Sequence, residues 1–236
     1  MAYQGGKGTI GAELSRVILA WERRTGNADL PYLEPFFGLG GVAQHIVATG
    51  RKVWGNDANK DLILLLRALQ RGWHPPHVSR EERDRLKASP HHSALRGYAG
   101  LVYSYRGVWW AGYSVRDEDR RRDRLLRIGK LFRSVRFTSR LYDTLRPHGM
   151  LIYCDPPYQG HLGYTAAGAV PKFHSDRFWR VARAWSRDNV VLVSEYKAPI
   201  GWKAIWTKSV HTTLGGRALP RKEKLFVYQP RQPDLP

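Results

Sequence analysis

A chain of 236 residues can bury one substantial core, as one domain or as one domain carrying an insertion. Lys and Arg number 39 against 20 Asp and Glu, and the formal charge of +19 suggests a polyanionic partner, nucleic acid foremost; the alternatives are a protein kept soluble by its charge or one that binds anionic membrane surfaces. The single cysteine, Cys154, excludes an internal disulfide and argues against structural zinc, and no run of about 18 apolar residues or signal-peptide pattern occurs, so a cytosolic protein is expected.

In residues 10–24, Ile10, Leu14, Val17, Ile18 and Trp21 share one helical face, and Arg16, Glu22, Arg23 and Arg24 fall largely outside it. The apolar run 30–36 predicts a strand that breaks into Phe37-Gly38-Leu39-Gly40-Gly41, then a helix to about Val47. Gly50 closes that helix, 52–56 reads as a second strand with Asp57 at its end, and a helix carrying Leu62, Leu65, Leu66 and Leu69 follows. Short connections between alternating strands and helices predict an α/β domain with a largely parallel sheet, whose ligand lies at the strand C-terminal ends.

From about Gly72 to Arg133 the pattern changes to prolines, histidines, dense charge and the aromatic stretch from Tyr103 to Tyr113. Residues 72–133 are read as an insertion. Its second half predicts a helix with Leu125, Ile128, Leu131 and Phe132 inward and Arg120, Arg121, Arg122, Arg124 and Arg127 around the rest. The α/β pattern resumes in strands at 135–138, 149–154 and 189–194, a helix between the last two capped by Ser175 or Asp176, and a final strand at 224–228. The catalytic domain is thus expected to comprise 1–71 and 134–228, and the proline-rich tail 229–236 is expected to be disordered.

Asp155-Pro156-Pro157-Tyr158 ends an apolar strand. The prolines fix the backbone and remove two N–H donors, which leaves a carboxylate and carbonyls as acceptors. Such acceptors suit the N–H groups of an exocyclic nucleobase amine, and Tyr158 offers a flat face for a base swung out of the helix. The alternative is a structural turn. The glycine loop lets a ligand approach the backbone, and Asp57 follows Gly38 at the spacing of an acid that binds ribose hydroxyls; its alternative is a helix N-cap. The third glycine of a dinucleotide fingerprint is missing, with Gln44 near its place, so a methyl donor fits better.

The ordered blocks Tyr3-Gln4-Gly5-Gly6-Lys7, Glu34 to Gly40, Asn56 to Leu62, Tyr103 to Tyr113, Asp155 to Tyr158, Val193-Ser194-Glu195-Tyr196 and Glu223-Lys224-Leu225-Phe226 together resemble the Dam-type (class alpha) DNA adenine-N6 methyltransferases along nearly the whole chain. The resemblance implies a Rossmann-like S-adenosylmethionine-dependent methyltransferase domain with a mainly helical DNA-recognition insertion. It implies that Tyr3, Lys7, Phe36, Gly38, Gly40, Asp57 and Asp155 bind S-adenosyl-L-methionine, and that Asp155, Pro156 and Tyr158 hold the adenine. Lys7 has an alternative as a solvated surface charge. The block 137–143 lacks the family's usual acid in that position, which leaves the contact to the cofactor's adenine ring unassigned.

Between Arg67 and Arg133 sixteen Arg or Lys stand against seven Asp or Glu, interleaved with aromatics. Lys7, Arg106, Trp109, Trp110, Tyr113 and Arg116 are the expected DNA contacts, with Arg106 the base-reading candidate. For the two tryptophans the alternative is a small core beneath the insertion. The expected partner is double-stranded DNA, with no membrane, for a monomer or weak dimer in the cytoplasm of a prokaryotic or phage-infected cell. Competing readings keep the fold but change the acceptor to an RNA base or a protein glutamine amide, or make the chain a non-catalytic basic DNA-binding module. Cytosine-C5 chemistry would need a thiolate, for which Cys154 is misplaced.

Overall fold

The structure, a computed structural model, describes residues 7–105, 108–157, 173–214 and 217–229, with the backbone alone at 211–214 and 217–220. Seven strands form one sheet: β1 (Tyr32–Glu34), β2 (Val53–Asn56), β3 (Arg136–Thr138), β4 (Leu151–Cys154), β5 (Val190–Glu195), β6 (Trp202–Leu214) and β7 (Arg217–Tyr228). Their order is β3-β2-β1-β4-β5-β7-β6. The first five run parallel, and β7 lies antiparallel to β5 with β6 antiparallel outside it. This is the expected α/β, Rossmann-like fold, with the strand order reversing between β1 and β4.

Alternate residues of the strands feed two apolar layers. Tyr32, Val53, Leu151, Tyr153 and Leu192 face α1 (Gly11–Arg24), α2 (Ala43–Val47) and α3 (Lys60–Gln70), while Leu33, Ile152, Cys154, Val191 and Val193 face α7 (Ser175–Trp185). The two-residue pleat period makes this division, and burial on both faces explains why the central strands read as continuous apolar runs.

The insertion is mainly helical, as predicted: α4 (Arg80–Ala88), α5 (Ala94–Val102) and α6 (Glu118–Leu131). It shares the core of the α/β domain. Tyr98, Leu101, Leu125 and Phe132 belong to the same cluster as Leu62 and Leu66, and a Cβ added to Gly97 would stand 2.3 Å from the Asp61 carbonyl oxygen. Glycine there lets α5 cross the first turn of α3, the end nearest Asp57.

Several local readings are corrected. On α6, Leu131 is 38 % exposed while Arg121 is buried and donates to the Val102 and Ser104 carbonyls at 2.5 and 3.1 Å. On α1, Glu22 is buried because it pairs with Arg51. Neither Ser175 nor Asp176 caps α7; the N-cap position is His174, with no side-chain cap bond. β6 was not anticipated, and β7 begins seven residues before the predicted final strand. Of the tail, residues 230–236 lie outside the described residues.

Candidate active site

The C-terminal ends of β1, β2, β4 and β5, joined by the Glu223 stretch of antiparallel β7, bring together a cluster of acids around one buried ammonium. Asp155 follows β4 directly. Lys7, 6 % exposed, places Nζ 2.7 Å from Asp155 Oδ1 and 3.3 Å from Glu223 Oε1 on β7. Burial works against the Lys7 ammonium, but the two carboxylates outweigh it and its pKa is raised. The backbone of Lys7 is fixed as well: its carbonyl accepts from the Ile10 and Gly11 amides, and a Cβ on Gly41 would meet its carbonyl carbon at 3.1 Å. Lys7 is therefore no solvated surface charge, and its burial against Asp155 leaves little of it for a DNA phosphate.

Glu34, the last residue of β1, is buried and accepts from the Tyr32 hydroxyl at 2.9 Å. Burial pushes its carboxyl up to about 8, against the stabilising Tyr32 bond, with Asp155 adding to the rise and the Ala43 amide opposing it. That amide belongs to the first residue of α2.

Asp57 ties the glycine loop to the start of α3. Its Oδ2 accepts from the Gly38 amide and its Oδ1 from the Asn59 amide, both at 2.9 Å. The N-cap of α3 is Asn59, whose side chain accepts from the Leu62 amide, so Asp57 is not the helix cap. Burial raises the Asp57 pKa despite these two amide donors. Gly38 and Gly40 have φ of 52° and 64°, backbone that other residues rarely adopt. At Gly40 the demand is also steric: a Cβ would lie 2.5 Å from the Phe132 ring and 2.8 Å from that of Phe37. Gly40 thus serves packing beneath the loop.

Asn56 went unremarked in the sequence. Fully buried, it donates to the Pro35 and Arg140 carbonyls at 3.0 and 2.9 Å and accepts from Thr138 Oγ1 and the Arg140 amide at 2.9 and 3.1 Å. All four of its polar positions are used, and they lock together the segments leaving β1, β2 and β3. Just beyond, partly exposed Phe36 packs on Tyr142 and Phe178, with ring centres 5.2 and 5.6 Å away. Ser194 is fully buried and shares a 2.8 Å hydrogen bond with Tyr153, a supporting role.

Asp155, Pro156, Lys7, Phe36, Gly38, Gly40 and Asp57 are all brought to this edge of the sheet; Tyr3, Tyr158 and Arg106 lie outside the described residues. The insertion is where expectation fails. Trp109 and Trp110 are 6 % and 4 % exposed and belong to the core, so they are not placed to wedge into DNA. The Trp110 indole fills the space a Gly100 Cβ would take, with the Arg83 and Arg96 guanidinium carbons each 5.5 Å from its centre. Tyr113, partly exposed, stacks on Tyr103 at 6.0 Å, and Arg116 is exposed. Among the described residues no group of His, Cys, Asp or Glu is arranged to hold a metal, and no helix is long and apolar enough to cross a membrane.

No family model and no curated protein matches the chain. Solved structures give distant likenesses. Magnesium protoporphyrin IX methyltransferase from Synechocystis PCC 6803, with SAM bound, is 10 % identical over 93 % of this chain and 81 % of its own, at a TM-score of 0.39. A Haemophilus influenzae protein provisionally named a methylase is 11 % identical over 94 % and 99 %, also at 0.39. A provisionally named methyltransferase complexed with SAH is 12 % identical over 87 % and 49 %, at 0.33. Superpositions this loose set no residue correspondences.

Proposed function

We propose that this chain transfers a methyl group from S-adenosylmethionine to N6 of an adenine flipped out of duplex DNA, as the Dam-type enzymes it resembles do. The observation that carries the reading is Asp155-Pro156 at the end of central strand β4, with the carboxylate fixed through Oδ1 by a buried lysine. Pro156 contributes no N–H, so this stretch presents a carboxylate and a carbonyl to an amine with two N–H groups. Gripping both N–H groups favours a geometry in which the nitrogen lone pair leaves the ring π-system and turns outward.

The residues fit the proposed methyl donor. Asp57 is an acid at the end of β2 whose pKa burial raises and whose carboxylate is already aligned by two backbone amides, as suits an acid that receives ribose hydroxyls. Phe36, packed on Tyr142 and Phe178 just past β1, offers an apolar edge, and Asn56 fixes the loops that carry both residues. When bound, S-adenosylmethionine supplies an electrophilic methyl on a sulfonium. Asp155 orients the amine that receives it and tolerates the positive charge that develops on nitrogen.

Cys154 does not support cytosine-C5 chemistry, because burial holds its thiol well above the ordinary range. The test is incubation of the purified chain with isotopically labelled S-adenosylmethionine and, separately, duplex DNA, RNA and a glutamine-containing protein substrate, followed by nucleoside and peptide analysis. N6-methyladenine in the DNA is the expected product. Label confined to RNA or to glutamine would transfer the same site to the competing acceptor, and no label anywhere would favour the non-catalytic module.

A further inference from the structure

β7 pairs with β5 only from Lys224 to Val227, because β5 ends at Glu195 opposite Lys224. The seven residues Arg217–Glu223 continue without it, paired solely with Lys208–Leu214 of β6. A two-stranded ribbon therefore leaves the sheet and extends about 20 Å at ordinary strand rise. It leaves from the C-terminal end of β5, the same edge of the sheet that carries Asp155. Pro220 falls within this stretch, where the strand has one neighbour instead of two, as a residue lacking an N–H requires.

The base of the ribbon is part of the site. Glu223 holds Lys7, and two residues along, the Arg221 guanidinium stands 5.0 Å over the Tyr196 ring, just past β5. From this wall the ribbon projects outward. Between Glu195 and Glu223 the sequence has Lys197, Lys203, Lys208, Arg217, Arg221 and Lys222 and no acid. Lys222 is exposed. The helical insertion packs with α3 toward the β2 and β3 side, so the ribbon stands on the opposite side of β4.

We infer that the β6–β7 ribbon is a second DNA-contacting arm, which holds the duplex backbone across the site from the insertion. This rests on the DNA reading proposed above and adds a contact surface to it. A two-stranded antiparallel ribbon is one of the two elements that the major groove, about 12 Å wide, admits. The projecting stretch carries Arg217, Arg221 and Lys222 with no acid between them, while Lys208 at its base pairs with Glu13 of α1, and this basic stretch suits the phosphates that line the groove.

The test compares three proteins in binding to a duplex of stated sequence, by fluorescence anisotropy over a salt series, with S-adenosylmethionine binding followed by calorimetry. They are the wild type, Arg217→Glu with Lys222→Glu, and Lys52→Glu with Arg187→Glu. The last pair makes the same charge change at exposed positions just before β2 and β5, on the opposite edge of the sheet. The ribbon variant is expected to bind DNA about tenfold more weakly, with a salt slope shallower by about two, and to bind S-adenosylmethionine normally. The control pair should change little. Equal losses in both variants would reduce the effect to net charge and overturn the arm; so would unchanged binding by the ribbon variant. A wild type with no salt-dependent duplex binding would overturn the DNA reading itself and the arm with it. Arg217→Ala with Lys222→Ala, expected to give a smaller loss in the same direction, guards against misfolding of the charge-reversed chain.

Discussion

The Lys7 ammonium lies 2.7 Å from the Asp155 carboxylate, and Glu223 holds the same ammonium from the other side at 3.3 Å. One cation thus balances two carboxylates in a place where water reaches little of any of them. Removing it as Lys7→Met leaves the carboxylates facing each other and is expected to cost about 3–5 kcal/mol of stability. Adding Glu223→Gln should recover part of that. Urea unfolding of the single and double variants checks it: a double variant no more stable than the single would mean that Lys7 contributes packing and not charge balance.

On the function proposed above, Asp155→Ala is expected to abolish methyl transfer while leaving DNA binding close to wild type, because the carboxylate would grip the reacting amine whereas affinity would come mainly from phosphate contacts. The fold should survive, since Lys7 keeps its bond to Glu223. Single-turnover methylation alongside anisotropy separates the two effects. Near-normal turnover in this variant would remove Asp155 from the mechanism.

Asp57→Ala should weaken S-adenosylmethionine binding by about 1.5–3 kcal/mol through loss of a charge-assisted hydrogen bond. The Gly38 and Asn59 amides lose their acceptor in the same substitution, so Asp57→Asn, which keeps one carbonyl oxygen, is the informative companion. A smaller loss in Asp57→Asn than in Asp57→Ala would divide the effect between loop geometry and charge. Unchanged calorimetric affinity in both would confine Asp57 to the loop.

The parallel core and the Asp155 loop were legible because each rests on local pattern: an apolar run, a glycine or acid at its end, a helical period after it. The ribbon was legible in principle. Trp202 to Leu214 is free of proline and rich in β-branched residues, and it runs into Gly215-Gly216, a strong hairpin signal. The burial of Trp109 and Trp110 was legible only as the alternative of a small core beneath the insertion, and that of Arg121 was not legible, because each depends on which face of α5 meets it. Nor was the role of Asn56, whose partners Pro35 and Arg140 are far apart in sequence and meet only when three strands align.

Glu34 gives a pH dependence. Its carboxyl rises from an ordinary 4.5 to about 8 in the folded chain, so the folded state binds this proton more tightly than the unfolded state does. Its contribution to stability is full below about 4.5 and is lost as pH rises toward about 8. Glu34→Gln is neutral at every pH and escapes this loss. The difference in Tm, variant minus wild type, should therefore grow across that window and level off above it. A difference that stays flat would show that the folded chain binds the Glu34 proton no more tightly than the unfolded chain does.

The burial of the tryptophan pair redirects the question of which residues would read DNA on the proposed function. Trp110 sits under the Arg83 and Arg96 guanidinium groups with its indole against Gly100, so Trp110→Ala opens a hole in the shared core and should cost about 3–5 kcal/mol of stability. Its preference among DNA sites should not change. Tyr105 is different: it is 55 % exposed, and its carbonyl accepts from the Val108 amide at 3.1 Å. Arg106, next in sequence and outside the described residues, remains the base-reading candidate from sequence. If it reads a guanine edge, Arg106→Ala should relax discrimination at one base pair by about 1–3 kcal/mol. Arg116, exposed beyond Tyr113, suits a phosphate instead, and Arg116→Ala should weaken all sequences alike and flatten the salt slope by about one. Methylation rates on duplexes that each differ by one base pair from the preferred site distinguish the three variants. A changed preference profile in Trp110→Ala would restore the tryptophan to recognition, and an unchanged one in Arg106→Ala would move the reading head out of the stretch from Tyr103 to Tyr113.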